Sequence, residues 1–326
     1  MGPTTHGVGL SCEVIGQLGG DDGDLSELRV LNRVLRWTDD GILMEADPRH
    51  QEILTHSEHG KEVLTPGVKE QPTGAIAESP LSATQTSAFR SEAARCNSLG
   101  LDRPDIAFAA KELCRRMSLP DRAGQLALQR FTRYLKGSPR LVYNFPWQDA
   151  SCLDVFVDTD FAGCLATRRS TSGGIALHGT HLIKHWSCTQ KAVTLSSAEA
   201  ELYGLVKGTT EALGIQSWGH DLGIALPVRM HADSAAAIGI CRRSGIGRVR
   251  HLAVGQLWVQ EGLRRGDFTL YKVRGDQNPA DILTKAVPRE VLDRHLTTLG
   301  LHRAAGRAAS APHAQLYELT ASLGRG

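Results

Sequence analysis

The alternation of strand and helix signals between residues 151 and 300 constrains the fold more than any other feature of this sequence. Short apolar runs with period-two alternation predict strands, and longer stretches with helical periodicity predict helices. The predicted elements are strands at 153–157, 173–177 and 182–186, a long helix at 196–220, a strand at 227–231, helices at 234–242 and 252–264, a strand at 268–273 and a helix from residue 279. This order predicts an α/β domain with a mixed sheet.

The 326 residues are enough for two domains, because single hydrophobic cores rarely grow to that size. The first part mixes short apolar segments with glycines and acids, and we expect it to be the remainder of a domain whose beginning is missing. Composition divides the chain into a truncated remnant at 1–70, a linker rich in Pro, Ser and Thr at 71–85, a helical segment at 86–150, the α/β domain at 151–300 and a low-complexity tail at 301–326.

The helical segment contains two predicted helices that are separated by Pro120. The second helix is expected to start after Asp121, a residue type that caps helices, and to end near Gly137. Arg130 and Arg133 lie on one side of this helix. Such a basic stripe can follow a phosphate backbone, but a solvated helix face is an equally good interpretation.

Charge and cysteine usage narrow the class of protein without identifying it. The 37 basic and 35 acidic residues leave a formal charge of +2, so total charge does not indicate a nucleic-acid partner. The seven cysteines include no CxxC pair, which argues against a zinc ribbon or a disulfide framework and suits a reducing compartment. No run approaches the roughly 18 apolar residues of a membrane span. We expect an intracellular protein without a membrane partner, in the cytoplasm or the nucleus, and its oligomeric state is left open.

Four acidic residues occupy suggestive places on the predicted elements of the α/β domain. Asp158 and Asp233 end the first and fourth strands. Glu201 lies in the first turns of the long helix, and Asp281 lies at the start of the helix after residue 279. Strand ends and helix starts meet at one edge of such a sheet, and converging carboxylates need cations in order to ionise together. The four acids therefore predict a site for two Mg²⁺ ions, or Mn²⁺, that would activate water for phosphodiester cleavage.

Each acid also has a structural interpretation. Glu199 has the spacing of a capping box with Ser196, which favours Glu201 as the metal ligand. Asp233 is placed to cap the helix that follows it. Asp281 is placed to complement a helix dipole. We favour the metal site, because all four positions map onto one edge of the predicted sheet.

Five segments around these acids carry a family resemblance: Val157-Asp-Thr-Asp-Phe-Ala-Gly163, Arg168-Arg-Ser-Thr-Ser-Gly-Gly174, Leu195-Ser-Ser-Ala-Glu-Ala-Glu201, His231-Ala-Asp-Ser-Ala-Ala-Ala-Ile238 and Ala280-Asp-Ile-Leu-Thr-Lys285. In order and spacing they resemble the ribonuclease H motifs of copia-type retrotransposon Pol polyproteins. The resemblance implies a ribonuclease H-like fold, in which a five-stranded mixed sheet is flanked by helices. It also implies cleavage of the RNA strand of RNA–DNA hybrids by the catalytic residues Asp158, Glu201, Asp233 and Asp281.

Upstream segments extend the resemblance to about residue 25: Trp37-Thr-Asp-Asp-Gly41, Glu45-Ala-Asp-Pro-Arg-His50, Thr65-Pro-Gly-Val-Lys69, Arg103-Pro-Asp-Ile-Ala-Phe-Ala109 and Arg133-Tyr-Leu-Lys-Gly137. They are similar to the end of a reverse transcriptase, which implies that a partial palm and thumb remnant precedes the ribonuclease H domain. The aromatic-x-Asp-Asp signature of the polymerase is absent, because Asp21 and Asp22 lie among glycines. We therefore expect no DNA polymerase activity. No histidine precedes Asp281 in its loop, so the proton donor to the leaving group is unassigned.

Basic side chains are candidates for contacts with the phosphates of the hybrid: Arg168, Arg169, Lys184 and Lys191 around the predicted hairpin, and Arg130 and Arg133 in the helical segment. Ordinary surface charge is an equally good interpretation of them. The alternative to an enzyme is a catalytically silent nucleic-acid-binding relic, or a domesticated module, on the same fold. The presence of all four acids favours the enzyme.

Overall fold

Two five-stranded sheets organise the protein in the computed structural model, which describes residues 16–56, 58–69, 79–245 and 254–308. The strands are β1 (Glu27–Val30), β2 (Arg33–Thr38), β3 (Gly41–Ala46), β4 (Arg140–Pro146), β5 (Leu153–Asp160), β6 (Thr171–His178), β7 (His181–Thr189), β8 (Val228–Ala232), β9 (Thr269–Lys272) and β10 (Leu301–Ala304). The helices are α1 (Arg49–Thr55), α2 (Ala83–Gly100), α3 (Pro104–Arg115), α4 (Arg122–Gly137), α5 (Ser197–Asp221), α6 (Ala235–Arg242), α7 (Trp258–Arg265) and α8 (Arg289–Thr298). Among the described helices, none is both long and apolar enough to cross a membrane.

The carboxyl-terminal sheet is mixed and has the strand order β7-β6-β5-β8-β9. β6 pairs antiparallel with both β5 and β7, whereas β8 pairs parallel with both β5 and β9. Parallel pairs need crossover connections, and α5 and the α6–α7 region lie in these connections. This architecture confirms the predicted fold class, a ribonuclease H-like five-stranded mixed sheet flanked by helices.

Helix α5 packs closely on one face of this sheet because its contact side carries glycines. A Cβ atom at Gly208 would lie 2.4 Å from Val157 Cγ1, and a Cβ atom at Gly204 would lie 2.5 Å from Thr159 Oγ1. Side chains alternate between the two faces of a strand, and the core beneath α5 includes the alternate β5 residues Leu153, Val155 and Val157. The small helix residues thus fix the distance between α5 and the central strand.

The opposite face of the sheet packs against the upstream helices, so the two parts of the chain share one apolar core. On the sheet side, this core includes Ile175, Leu177, Leu182, Ile282 and Leu283, and on the helix side it includes Phe89, Ile106, Leu113, Phe131 and Leu135. A polar contact joins the same elements, because Lys111 Nζ of α3 donates a hydrogen bond of 2.8 Å to Thr171 Oγ1 of β6. The upstream helices are therefore part of the structure that supports the carboxyl-terminal sheet.

The amino-terminal sheet has the order β1-β2-β3-β4-β10, and all of its neighbouring strands are antiparallel. Strand β10 follows the whole carboxyl-terminal sheet in sequence and aligns Leu301 with Tyr143 of β4. Arg303 of β10 donates hydrogen bonds of 3.0 Å to Ser138 Oγ and 3.1 Å to Tyr134 Oη. These contacts attach the end of the described chain to α4 and to the residues that follow it.

Two predicted segment boundaries are wrong because of this pairing. The predicted tail at 301–326 begins with β10, and Leu301 is buried in the shared core. The predicted helical segment at 86–150 ends with β4. Composition could not indicate either strand, since each is stabilised by a partner that is far away in the sequence. The rest of the predicted tail, from residue 309, lies outside the described residues.

Two further predictions differ in detail from the structure. Helix α2 starts within the predicted linker at 71–85, where Ser82 and Gln85 form a capping box; residues 70–78 lie outside the described residues. The helix predicted from residue 279 is a short 3₁₀ turn at Pro279–Leu283. A regular helix, α8, begins only after Pro288, which disfavours helical backbone in the residue before it.

Candidate active site

Three carboxylates converge at the edge of the carboxyl-terminal sheet where β5 and β8 end. Asp158 lies near the end of β5, and Asp233 follows β8 directly. Glu201 lies near the start of α5. Adjacent parallel strands end at the same edge of a sheet, and one oxygen from each of the three carboxylates lies within 4.8 Å of the others. The structure thus brings three of the four predicted acids together, while their catalytic role stays a prediction.

Asp158 is held by the turn that carries the fourth acid. Asp158 as a whole is 3% exposed, and its Oδ2 accepts a hydrogen bond from the hydroxyl of Thr284, which is itself fully buried. Gly173 of β6 lies opposite Asp158 in the sheet. A Cβ atom at Gly173 would lie 2.7 Å from Thr284 Cγ2 and 2.8 Å from Leu283 Cβ. Glycine at this position therefore lets the turn approach the strand.

Glu201 and Glu199 have different roles, as the capping pattern predicts. The Ser196 hydroxyl accepts a hydrogen bond of 3.2 Å from the Glu199 amide, and Glu199 Oε2 accepts one of 2.7 Å from the Leu195 amide, one residue before the predicted position. Glu201 Oε2 is buried and has no hydrogen-bond partner among the described residues. Burial, followed by the charges of Asp158 and Asp233, raises the pKa of Glu201 to about 9. Glu201 is therefore a half-buried carboxyl group with one enclosed oxygen that accepts no hydrogen bond from the described residues.

Asp233 is left free for the site because its neighbour caps the following helix. The Ser234 hydroxyl accepts a hydrogen bond of 3.2 Å from the Ala237 amide at the start of α6. Burial and the charge of Asp158 raise the pKa of Asp233. A Cβ atom at Gly275 would lie 3.3 Å from Asp233 Oδ2, so the turn that precedes the fourth acid also lies against this carboxylate.

Asp281 is positioned by Asn278, which joins its turn to the central strand. The Asn278 side-chain amide donates a hydrogen bond of 2.8 Å to the Val157 carbonyl, and its Oδ1 accepts one of 3.2 Å from the Ala280 amide. Burial, followed by the charge of Asp158, raises the pKa of Asp281 to about 6. The fourth acid thus lies close enough to Asp158 for their charges to interact.

Lys285 is a component of the site that the sequence analysis missed. Its Nζ lies 2.9 Å from Asp281 Oδ1 and 3.8 Å from Asp158 Oδ2. The spacing of four residues from Asp281 was an available signal, because residues four apart face each other on one helical turn. Without the turn's position against β5, however, the contact with Asp158 could not be inferred.

The carboxylates fit a divalent cation. Carboxylate oxygens are the ligands that Mg²⁺ and Mn²⁺ prefer. The buried Glu201 Oε2 without a partner is the kind of atom that a bound cation would satisfy. Asp158, Glu201 and Asp233 can therefore hold a metal ion.

The sequence of this chain is similar to those of known retrotransposon proteins. The chain is 29% identical over 202 residues to the retrovirus-related Pol polyprotein from transposon TNT 1-94 of Nicotiana tabacum, with 61% of this chain and 15% of that protein covered. It is 30% identical over 208 residues to the corresponding polyprotein from transposon RE1 of Arabidopsis thaliana, with 63% and 14% covered. The chain is thus similar in sequence to retrovirus-related Pol polyproteins of copia-type plant transposons. It spans about 15% of the length of these relatives.

The chain was also compared with protein-family models and with solved structures. No protein-family model matches this chain. Among solved structures, the amino-terminal RNase H domain of a Mycobacterium tuberculosis protein, fused to maltose binding protein, aligns with a TM-score of 0.30 and 18% identity, covering 46% of this chain and 99% of that one.

Three of the four basic residues predicted around the hairpin lie at the edge of the sheet that carries the acids. Arg168 and Arg169 are exposed in the loop between β5 and β6, and Lys191 is exposed two residues after the end of β7. Lys184 lies further along β7, where its Nζ forms an ion pair of 2.6 Å with Glu211 Oε2 of α5. Contact of these residues with nucleic acid stays a prediction.

Arg130 and Arg133 contact a part of the chain that lies far upstream. Arg130 donates a hydrogen bond of 2.8 Å to Thr65 Oγ1, and Arg133 donates one to the Lys61 carbonyl. Both arginines therefore hold the extended segment 60–65 against α4. Sequence periodicity showed that they share a helix face but could not show that this face is covered by chain from far upstream.

Proposed function

We propose that this protein is a divalent-metal-dependent ribonuclease H that cleaves the RNA strand of RNA–DNA hybrids. The observation that carries the proposal is the convergence of Asp158, Glu201 and Asp233 within 4.8 Å, next to Asp281. Stabilising a bound metal is the simplest use of buried carboxylates that repel one another. The similarity of the chain to retrovirus-related Pol polyproteins supports the same reaction class.

The proposed cofactor is Mg²⁺, with Mn²⁺ as an alternative. Asp158, Glu201 and Asp233 would hold one ion, and Asp158 and Asp281 would hold a second. Bound there, such cations supply an activated water and neutralise charge on the phosphodiester.

Side chains of the protein would orient the metal-binding acids and hold a proton at the site. Thr284 orients Asp158 by donating a hydrogen bond to its Oδ2, and Asn278 fixes the turn of Asp281 on β5. Glu201, whose pKa is about 9 in the protein without metal, holds a proton at neutral pH. Binding of a cation would therefore release that proton.

The proposed substrate contacts involve the sugar-phosphate backbone of the hybrid. A-form duplexes present 2′-hydroxyls and phosphates in a wide, shallow minor groove, so an RNA strand can be recognised without reading its sequence. The exposed Arg168, Arg169 and Lys191 at the site's end of the sheet are the candidates for phosphate contacts.

The test is cleavage of a labelled RNA–DNA hybrid in Mg²⁺ by the full chain and by Asp158→Asn. We expect the variant to lose at least about 100-fold in rate, because it removes a ligand that both ions share. Asp160→Asn is the matched control. The Asp160 side chain lies against Gly163, where a Cβ atom would be 1.7 Å from Asp160 Oδ2. The Asp160→Asn variant should therefore keep most of the activity.

The opposite result would identify the alternative function. Salt-dependent binding of the hybrid with no metal-dependent cleavage above the Asp158→Asn background would contradict the enzymatic proposal. It would favour a catalytically silent nucleic-acid-binding module.

A further inference from the structure

Lys285 places a positive charge between two of the four acids. Its Nζ lies 2.9 Å from Asp281 Oδ1 and 3.8 Å from Asp158 Oδ2. The intervening turn is closed by a hydrogen bond of 3.3 Å from the Lys285 amide to the Asp281 carbonyl. The backbone of the turn thus directs the lysine toward these carboxylates.

Asp158 belongs to two groups of carboxylates that differ in their charge balance. With Glu201 and Asp233 it forms the group whose oxygens lie within 4.8 Å, and Glu201 Oε2 in that group has no hydrogen-bond partner among the described residues. With Asp281 it forms the group that already contacts the Lys285 ammonium. One group is open to a cation, and the other holds a cationic side chain.

We propose that the Lys285 ammonium occupies the position of a second divalent cation between Asp158 and Asp281. The first ion binds at Asp158, Glu201 and Asp233 while the lysine stays in place. A second ion binds only after Lys285 has moved away. Lys285 is therefore a positioning residue that sets the metal concentration at which the site becomes fully occupied.

The side chain can make this movement at modest cost. Lys285 is 46% exposed, so its ammonium can exchange the carboxylates for water. Ion pairs with an exposed partner are weak because solvent screens them. A divalent ion brings twice the charge to the same carboxylates. The lysine therefore competes with the second ion without excluding it.

This inference rests on the proposed ribonuclease site, but its test counts ions and needs no nuclease activity. The full chain, without nucleic acid, is titrated with Mn²⁺, and the free ion is followed by electron paramagnetic resonance. Lys285→Met and Lys285→Gln remove the charge, and Lys285→Arg retains it. Lys272→Met is the matched control. The charge of Lys272 also acts on Asp233, but Lys272 lies at the end of β9 and not in the turn that carries Asp281.

We expect wild type, Lys285→Arg and Lys272→Met to bind one ion tightly and a second ion weakly. Lys285→Met and Lys285→Gln should bind the second ion at least about tenfold more tightly, since a unit charge beside the ligands has been removed. Two neutral variants are included so that a folding defect in one of them does not remove the comparison.

Identical isotherms for wild type and the neutral variants, together with cleavage of the hybrid by wild type, would overturn the lysine inference alone. Tighter binding of the second ion by Lys272→Met, equal to that of Lys285→Met, would also overturn it, because the effect would then be one of total charge. Failure of wild type to bind any ion and to cleave the hybrid would overturn the ribonuclease proposal and this inference together.

Discussion

The two sheets of the molecule are assembled from the chain in different ways. The sheet that carries the acids takes its strands β5 to β9 from one continuous stretch, between residues 153 and 272. The other sheet takes β1 to β4 from upstream of that stretch and β10 from downstream of it. The candidate chemistry is thus concentrated in one region, whereas the contacts that stabilise this region come from both sides of it in the sequence.

The sequence boundary of the acid-bearing region is not the boundary of its hydrophobic core. Ile175, Leu177 and Leu283 of the acid-bearing region pack in one core with α2, α3 and α4. An apolar sheet face needs another layer to cover it. The upstream helices provide that layer here.

The largest expected effect comes from separating the two regions. A fragment of residues 147–326 would expose the sheet face that α2 to α4 cover, and β10 would lose its partner β4. We expect this fragment to lack a cooperative thermal transition and to be digested rapidly by protease, as measured by circular dichroism and limited proteolysis. The full chain should show a cooperative transition.

Mixing this fragment with a separately produced fragment of residues 1–146 is the control for simple misfolding. Protection from protease should return in the mixture, because the two pieces together contain the whole shared core. An isolated 147–326 fragment that melts cooperatively and cleaves the hybrid would show that the two regions fold independently.

A smaller effect is expected within the acid-bearing region, where α5 meets β5. Gly208→Ala places a Cβ atom 2.4 Å from Val157 Cγ1, and we expect it to destabilise the protein by about 1–3 kcal/mol. Gly214→Ala lies on the same helix with nothing within 4 Å and should stabilise it by roughly 0.5–1 kcal/mol. Chemical denaturation measures both changes, and effects of the same sign would contradict the close packing of α5.

The smallest expected effect concerns pH and the site itself. The pKa of Glu201 in the folded protein without metal is raised from 4.5 to about 9, so the folded state binds this proton more tightly than the unfolded state does. Its contribution to stability is present at low pH and is lost as pH rises through this range. In EDTA, wild type should therefore lose stability relative to Glu201→Gln as the pH rises from 5 to 8.

Added Mg²⁺ should reverse this loss in wild type at pH 8 and have little effect on Glu201→Gln. Thermal melts at both pH values measure the difference. A stability difference between the two proteins that stays constant from pH 5 to pH 8 would contradict the environment assigned to Glu201.

The sequence was informative wherever the signal was local. Period-two patterning located β5, and the cap residue Ser196 correctly indicated where α5 begins. Asp233 was the expected cap of α6, but Ser234 caps that helix. Capping spacing also separated Glu199 from Glu201. These features depend on contacts between residues that are close in the sequence, so they can be predicted from the sequence alone.

Features that depend on distant partners could not be predicted in the same way. The pairing of β10 with β4, the contacts of Arg130 and Arg133 with segment 60–65, and the approach of Lys285 to Asp158 all join residues remote in sequence. The turn at 279–283 was predicted as a helix because Asn278 and Pro279 suit a helix start. Its shape depends instead on the hydrogen bond from Asn278 to β5.

The late position of β10 has a consequence for synthesis. A chain emerges from the ribosome with its amino-terminal end first, so β1 to β4 are complete long before residues 301–304 exist. During that interval the backbone of β4 is an unpaired sheet edge, the kind of edge to which strands of other chains add. The edge of β4 is therefore open to aggregation during translation until β10 has been made and can pair with it.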